Sequence, residues 1–421
     1  MLEENQMKKI LIQGGQRLRG SVAVAGSTAL ALTAQIAALL ASTGELKLAN
    51  VADTMTVDTM NERLRKLDLA VTVNKPTHQL IIQSQAKLTA DDLTVITSAK
   101  VASLMIGPLL ARTGSVRLNK DQVPDEIIAD LRCLGADVSL NDEALAIKAG
   151  RLKGSHLKLA DSNCLSTQSL IMAAVLADGI TVIENAACDF EVIALANLLN
   201  KMGARVHGAG TKIVRVQGVT FLHGCDYEIA GDYLEATALM LAAAITNGDV
   251  IVENVHLQSV QGVINQLERM GCTVVVQQNG VRVLGTAVLL PADPQSLFPS
   301  AMYPELAILQ LLANGKSSNA VMDQRLLDQL QKMQAGVQET AGELILNGPA
   351  KLSGIKVKAF DASSALTLTL AGLAAKGLTI VENGAYLGDE FEDLPAKLQS
   401  LGASLQLKDF ESASKSLTKF K

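Results

Sequence analysis

The sequence predicts an α/β fold of two domains, built from six βαβαββ units of about 67 residues, three packed around buried helices in each domain. Three observations carry this. A helix-like run rich in Ala and Leu ends in a glycine and passes into a strand-like run at Gly44, Gly114, Gly179, Gly248, Gly315 and Gly377, at intervals of 62–70 residues. A second mark, reading KLDLAV, CLGADV, KMGARV, RMGCTV, KMQAGV and SLGASL, recurs at Asp68, Gly135, Gly203, Gly271, Gln334 and Gly402, at intervals of 63–68 residues. Helix-like runs such as SLIMAAVLA (169–177) are apolar on nearly every side. One unit alone cannot bury such a helix, so several must pack together.

The elements follow in order. KKILIQG reads as a first strand, and an alternating run from Ser21 to Ala25 as a second. Gly26 ends it, Ser27 and Thr28 read as a helix N-cap, and an apolar run begins at Ala29. Within the third unit, the helix 169–177 is expected to be capped by Gly179. The strand TVIENA comes next, then an amphipathic helix, DFEVIALANLLNKMG (189–203), with Val192, Leu195, Leu198 and Leu199 at helical spacing. Gly203 ends that helix and a hairpin, ARVHGAGTKIVRVQG, closes the unit.

Composition narrows the function. Hydrophobic residues make up 48% and aromatics only 3%, with no Trp, so cores of Ala, Leu, Ile and Val are expected. A net charge of −5 with no basic stripe argues against nucleic acid. The acidic start MLEENQMKKILIQGG does not read as a secretory signal, and no apolar run reaches the roughly 18 residues of a membrane span. Cys133, Cys164, Cys188, Cys225 and Cys272 are scattered, as are the five histidines. Reduced thiols, a cytoplasmic setting, and neither metal nor cofactor are expected.

The repeats, with segments such as ILIQGGQRLRGSVAVAG, GPLLARTG, FPSAMYPELAILQLLANG and LTIVENGAYLGDEFEDLPAKLQSLGA, resemble the enolpyruvyl transferase family over the whole chain. They are most similar to the branch that acts on UDP-N-acetylglucosamine in peptidoglycan synthesis. The resemblance implies a two-domain inside-out α/β barrel, with residues 28–233 as one domain and 1–27 with 234–421 as the other. It implies a reaction that joins phosphoenolpyruvate to a UDP-sugar hydroxyl and releases phosphate. Such chemistry needs fixed cations for phosphate and carboxylate, a proton donor and a base.

Measured against that resemblance, the chain lacks most of the chemistry. The lysine and asparagine of the family's first turn fall on Thr28 and Ala29. The segment VRLNKDQVPDEI (116–127) replaces a longer loop with its cysteine, and Gln122 stands roughly where the loop arginine would be. The family's catalytic aspartate falls on Ala301, and two arginines on Ser363 and Asp389. Matching groups are Asp58, Asp232, Glu235, Arg325 and Asp361, with Lys100 in place of an arginine. Gln122, Asp125, Asp161, Asn163 and Cys164 are candidates for a nucleotide-sugar wall.

Each of these groups also has a structural reading. Asp58 reads as a helix cap, Asp232 and Glu235 as hydrogen-bond acceptors at a chain crossing, Arg325 as the ion partner of Asp361, and Lys100 as a solvated or paired residue before an apolar helix. Cys133 is expected to face the apolar side of its helix, near Ile128 and Leu131. The resemblance then implies a catalytically degenerate relative with a binding or regulatory role, taking a nucleotide sugar such as UDP-N-acetylglucosamine or a protein of cell-wall synthesis as partner. Two other readings stay open: an active transferase with an unusual site, and a binding protein for a different small ligand.

Overall fold

A computed structural model describes residues 8–88, 98–141, 144–295, 297–340 and 342–409. The acidic start of the chain lies outside them. The chain divides into two compact units, one holding Ser27–Ile229 and the other the chain up to Gly26 and from Ala230 onward.

In the unit Ser27–Ile229 the helices are α1 (Thr28–Ala37), α2 (Met55–Lys66), α3 (Ala99–Thr113), α4 (Asp125–Cys133), α5 (Cys164–Ala174) and α6 (Phe190–Lys201). Helices α1, α3 and α5 are buried along most of their length, because their sequences carry almost no charge to keep in water. Helices α3 and α5 approach closely at Gly107, where a Cβ would come within 2.8 Å of the Ala173 backbone nitrogen. Ser169 on α5 also donates to the Ser103 carbonyl on α3, at 3.0 Å. Helices α2, α4 and α6 each bury one stripe, such as Ile127, Ile128 and Leu131 of α4. Among the described residues, three sheets of three or four strands and one of two lie in this unit, among them His156–Lys158, Ile180–Glu184, Ile213–Gln217 and Arg205–His207 in that order.

The other unit has α7 (Tyr233–Ile245), α8 (Leu257–Arg269), α9 (Tyr303–Leu312), α10 (Gln324–Lys332), α11 (Ala362–Ala374), α12 (Leu387–Glu390) and α13 (Leu394–Ser400). Helices α7, α9 and α11 touch one another and are the buried set. Its sheets run Lys356–Lys358, Leu378–Glu382, Lys8–Gln13, Ser404–Asp409; Thr273–Gln277, Gly280–Leu284, Asp249–Glu253, Arg19–Ala23; and Lys316–Ala320, Glu343–Asn347, Val337–Thr340.

The second sequence mark has one backbone geometry at all six positions. Asp68, Gly135, Gly203, Gly271, Gln334 and Gly402 are left-handed, with φ between 63° and 100°. Each follows an amphipathic helix whose end is closed by paired backbone bonds, such as Ala204 N–H to Leu199 and Gly203 N–H to Asn200. The first mark is less uniform. Gly114 is the C-cap of α3, but α5 ends at Ala174, not at Gly179 as the sequence predicts. The chain leaves the helix early because Asp178 N–H bonds the Leu152 carbonyl and Gly154 N–H bonds Asp178. Gly179, at φ +94°, instead turns the chain into the strand Ile180–Glu184.

A third mark escaped the sequence reading. Asn50, Asn185, Asn254 and Asn383 are left-handed at strand ends. Their side-chain amides donate to the Ile229, Leu159, Val24 and Ala359 carbonyls at 2.8, 3.1, 3.0 and 2.9 Å. For three of the four the signal was the recurring Glu-Asn pair in ENA, ENV and ENG; Asn50 follows Ala49 instead.

Candidate functional site

In the unit Ser27–Ile229 the opening turn is a cap. The Ser27 hydroxyl accepts from Leu30 N–H at 3.5 Å, and Thr28 is buried with its hydroxyl 3.3 Å from that of Thr54. Ala29 follows inside α1. Asp58 is not a helix cap: Thr54 is the N-cap of α2, and Asp58 lies in its first turn. Asp58 pairs with Lys75 at 3.0 Å, and Lys75 also meets Asp53 at 2.6 Å. These two carboxylates raise the Lys75 ammonium above its ordinary value.

The segment 116–127 is compact. After the strand Ser115–Asn119, Lys120–Gln122 form one tight turn and α4 begins at Asp125. Gln122 is buried and accepts from Asn119 N–H at 3.0 Å, closing a reciprocal capping box. Asp125 is exposed on the first turn of α4. At the start of α5, Asn163 is the N-cap, accepting from Ser166 N–H at 3.1 Å, while Asp161 is exposed. Cys164 is half-buried beside it, and burial together with Glu191 and Asp189 pushes its thiol far up, with Lys100 pulling it partly back. Lys100 therefore acts on Cys164, and it sits within the first turn of α3, not before it.

Cys133 corrects the sequence reading: it is exposed. The inward stripe of α4 is Ile127, Ile128 and Leu131, and a residue two positions past Leu131 falls on the opposite side.

In the other unit, Asp232 is the N-cap of α7 and accepts from Leu234 and Glu235 N–H at 2.8 and 3.1 Å. Glu235 is 1% exposed. Its Oε2 accepts from Ala25 N–H at 2.9 Å and its Oε1 pairs with Lys397. Burial still outweighs these partners and raises its carboxyl. Asp389 lies half-buried in α12, where burial raises it too.

Ala301, Asp361 and Ser363 do come together. They line a pocket of about 220 Å³ with Tyr303, Asp323 and Phe360. Asp361 caps α11, accepting from Ser364 N–H at 2.7 Å. Arg325 does not pair with Asp361. It forks onto Asp323, at 2.7 Å from Nη2 and 3.0 Å from Nε, and lies 4.0 Å over the Phe360 ring. Asp323, two residues earlier and N-cap of α10, reaches it with no chain rearrangement. Among the described residues no group of three or more His, Cys, Asp or Glu could hold a metal ion. No helix of the described residues is long and apolar enough to cross a membrane.

This α/β architecture is shared with solved enolpyruvyl-transferase structures. The enolpyruvyl transferase NikO from Streptomyces tendae superposes with a TM-score of 0.82 over 96% of this chain and 99% of its own, at 21% identity. EPSP synthase from Acinetobacter baumannii does so with 0.78 over 96% and 100%, at 18% identity. The chain belongs to the EPSP synthase (3-phosphoshikimate 1-carboxyvinyltransferase) family, whose model matches residues 12–398. It is 33% identical to the UDP-N-acetylglucosamine 1-carboxyvinyltransferase 1 of Halalkalibacterium halodurans, over 95% of this chain and 94% of that one.

Proposed function

We propose that this chain is a catalytically degenerate relative of UDP-N-acetylglucosamine 1-carboxyvinyltransferase, acting in the cytoplasm in a binding or regulatory role in peptidoglycan synthesis. The observation that carries the reading is the turn at Ser27. It is closed by its own cap and followed by buried Thr28 and apolar Ala29, so it offers no cation to a phosphate. The other positions agree. Gln122 closes a turn and Ala301 has no group to exchange a proton, while the retained Asp232 and Asp361 cap helices and the retained Arg325 is held by Asp323. Losing one such transition-state contact costs on the order of 10²–10³ in rate, and here several are absent together.

The same proposal takes the chain as six βαβαββ units of an inside-out barrel, three in 28–233 and three in 1–27 with 234–421. The six matching helix ends support it. The ligand proposed from the curated relative is UDP-N-acetylglucosamine or a related nucleotide sugar, and a protein of cell-wall synthesis is the proposed partner.

The test is phosphate release from phosphoenolpyruvate plus UDP-N-acetylglucosamine, alongside calorimetry with the nucleotide sugar. No release above background is expected. Release saturable in both substrates would replace this reading with that of an active transferase.

A further inference from the structure

Glu305, in the first turn of α9, is 1% exposed. Its Oε1 lies 2.7 Å from the Thr367 hydroxyl, which also lies 2.9 Å from the Ser363 carbonyl. A hydroxyl has one hydrogen to give. Thr367 donates to Glu305 Oε1 and to the Ser363 carbonyl with that one hydrogen, so an ionised Glu305 shares its donor with a backbone acceptor. The other oxygen, Oε2, is buried without a hydrogen-bond partner. Burial pushes this carboxyl up to about 7; Thr367 and Ser363 act against the rise and Asp361 adds to it. The elements packed against α9 carry Asp361 on α11, Asp232, Tyr233 and Glu235 on α7, Lys316 on the strand Lys316–Ala320 and Glu343 on the strand Glu343–Asn347. Of these, Asp361 is the charge that acts on Glu305.

Ser363 also lines the neighbouring pocket of about 220 Å³, with Asp323, Asp361, Tyr303 and Phe360. Among the described residues no Lys, Arg or His lines it, and with Arg325 held on Asp323 and over Phe360, Asp361 is the lining carboxylate left for a ligand. Carboxylates beside aromatic faces attract cations. One cation already uses such a surface here: the Arg325 guanidinium rests over Phe360 and is held by Asp323.

We propose that this pocket binds a small organic cation, a primary amine or guanidinium group, and that Glu305 ionises as the cation enters. The cation lies by Asp361 and Ser363. The Glu305 proton leaves to solvent, and the Ser363 hydroxyl, whose hydrogen bonding already favours the ionised Glu305 carboxyl, keeps its hydrogen on that group and offers its lone pairs to the donors of the cation. The pocket is thus opposite in sign to one built for phosphate.

Calorimetry of the full chain with agmatine, in two buffers of different ionisation enthalpy at pH 7, tests this. Inorganic phosphate and acetate are the anion controls. Saturable agmatine binding with release of about half a proton is expected, as for a group half-protonated at that pH, and neither anion should bind this pocket. Glu305→Gln should bind agmatine with no proton released. Ser363→Arg places a guanidinium in the pocket wall and should weaken agmatine by about tenfold or more. Absence of saturable agmatine binding, phosphate binding that Ser363→Arg alters, or the same proton release from Glu305→Gln overturns the proposal. The wild-type measurements decide it even if one variant does not fold. Agmatine binding stands or falls separately from nucleotide-sugar binding, so the failure of one reading does not imply the failure of the other.

Discussion

The buried helices of the two units begin in opposite ways. In Ser27–Ile229, α1, α3 and α5 start at Ser27, Ser98 and Asn163, uncharged side chains that each accept one backbone amide. In the other unit, α7 and α11 start at Asp232 and Asp361, and α9 carries Glu305 in its first turn. A neutral cap fills one amide and leaves the helix dipole unopposed, whereas a carboxylate answers both. One architecture therefore holds buried helix starts of either electrical character, and the fold does not fix the sign of a site. The unit with carboxylates at its helix starts must also compensate carboxyls it has buried. For Glu235 it uses Lys397 and the Ala25 amide, and for Glu305 little more than hydroxyls.

If the unit Ser27–Ile229 needs nothing from the other, it should fold alone. Residues 28–233 are expected to give a cooperative urea transition, with the stability of about 5–15 kcal/mol usual for a domain. A fragment without such a transition, while the full chain has one, would break the comparison at its root.

The Glu235 compensation should be next in size. Lys397→Met leaves a carboxylate that is 1% exposed without its counter-charge. A loss of about 3–5 kcal/mol is expected, read as a lower urea midpoint at unchanged slope. Adding Glu235→Gln should recover much of it. A Lys397→Met midpoint within error of wild type would mean that the ammonium adds nothing there.

Glu305 should show itself through pH. Its folded carboxyl stands at about 7 against an ordinary 4.5. Between those values the folded chain keeps a proton that the unfolded chain has lost, so stability from this group is full below pH 4.5 and is lost as pH rises through 7. At 1.36 kcal/mol per unit the loss is about 3 kcal/mol. Other carboxyls also titrate, so the readout is the difference between wild type and Glu305→Gln across that window. Parallel pH profiles would show that Glu305 is ionised throughout.

How much was legible in the sequence follows the same line between local and distant causes. The six helix ends were readable because a left-handed residue after an amphipathic helix leaves a local signature, and Asp68 and Gln334 kept the rhythm without glycine. The end of α5 was not, because the bonds that stop it come from Leu152 and Gly154, far from the helix in sequence. For the site, the cap at Ser27 was legible, as was the cap at Asp232 in outline. The pairing of Arg325 was misassigned since two acids were in reach and rotamer geometry chose Asp323. Glu305 was passed over because a lone Glu in an apolar helix has no pattern around it. Its character comes from burial, and the hydroxyls that partly offset it, Thr367 and Ser363, lie some 60 residues on.

The thiols give the smallest effect and the finest contrast. Cys133 and Cys188 are exposed, Cys164 is half-buried among acids, and Cys272 is buried with its thiol pushed up to about 11. Iodoacetamide should therefore label Cys133 and Cys188 first and Cys272 among the last, as followed by intact mass and peptide mapping. An epoxide phosphonate such as fosfomycin asks for more: a thiolate, and cations that hold the phosphonate beside it. Cys164 stands at an uncharged helix start, where a thiolate would gain from the dipole. Yet Glu191 and Asp189 oppose that charge more than Lys100 favours it, and burial opposes it most. No fosfomycin adduct is expected at any of the five cysteines. A stoichiometric adduct on Cys164 would mean that the neutral start of α5 outweighs its acidic neighbours, and the electrical contrast between the units would then reach further into their chemistry than the caps alone.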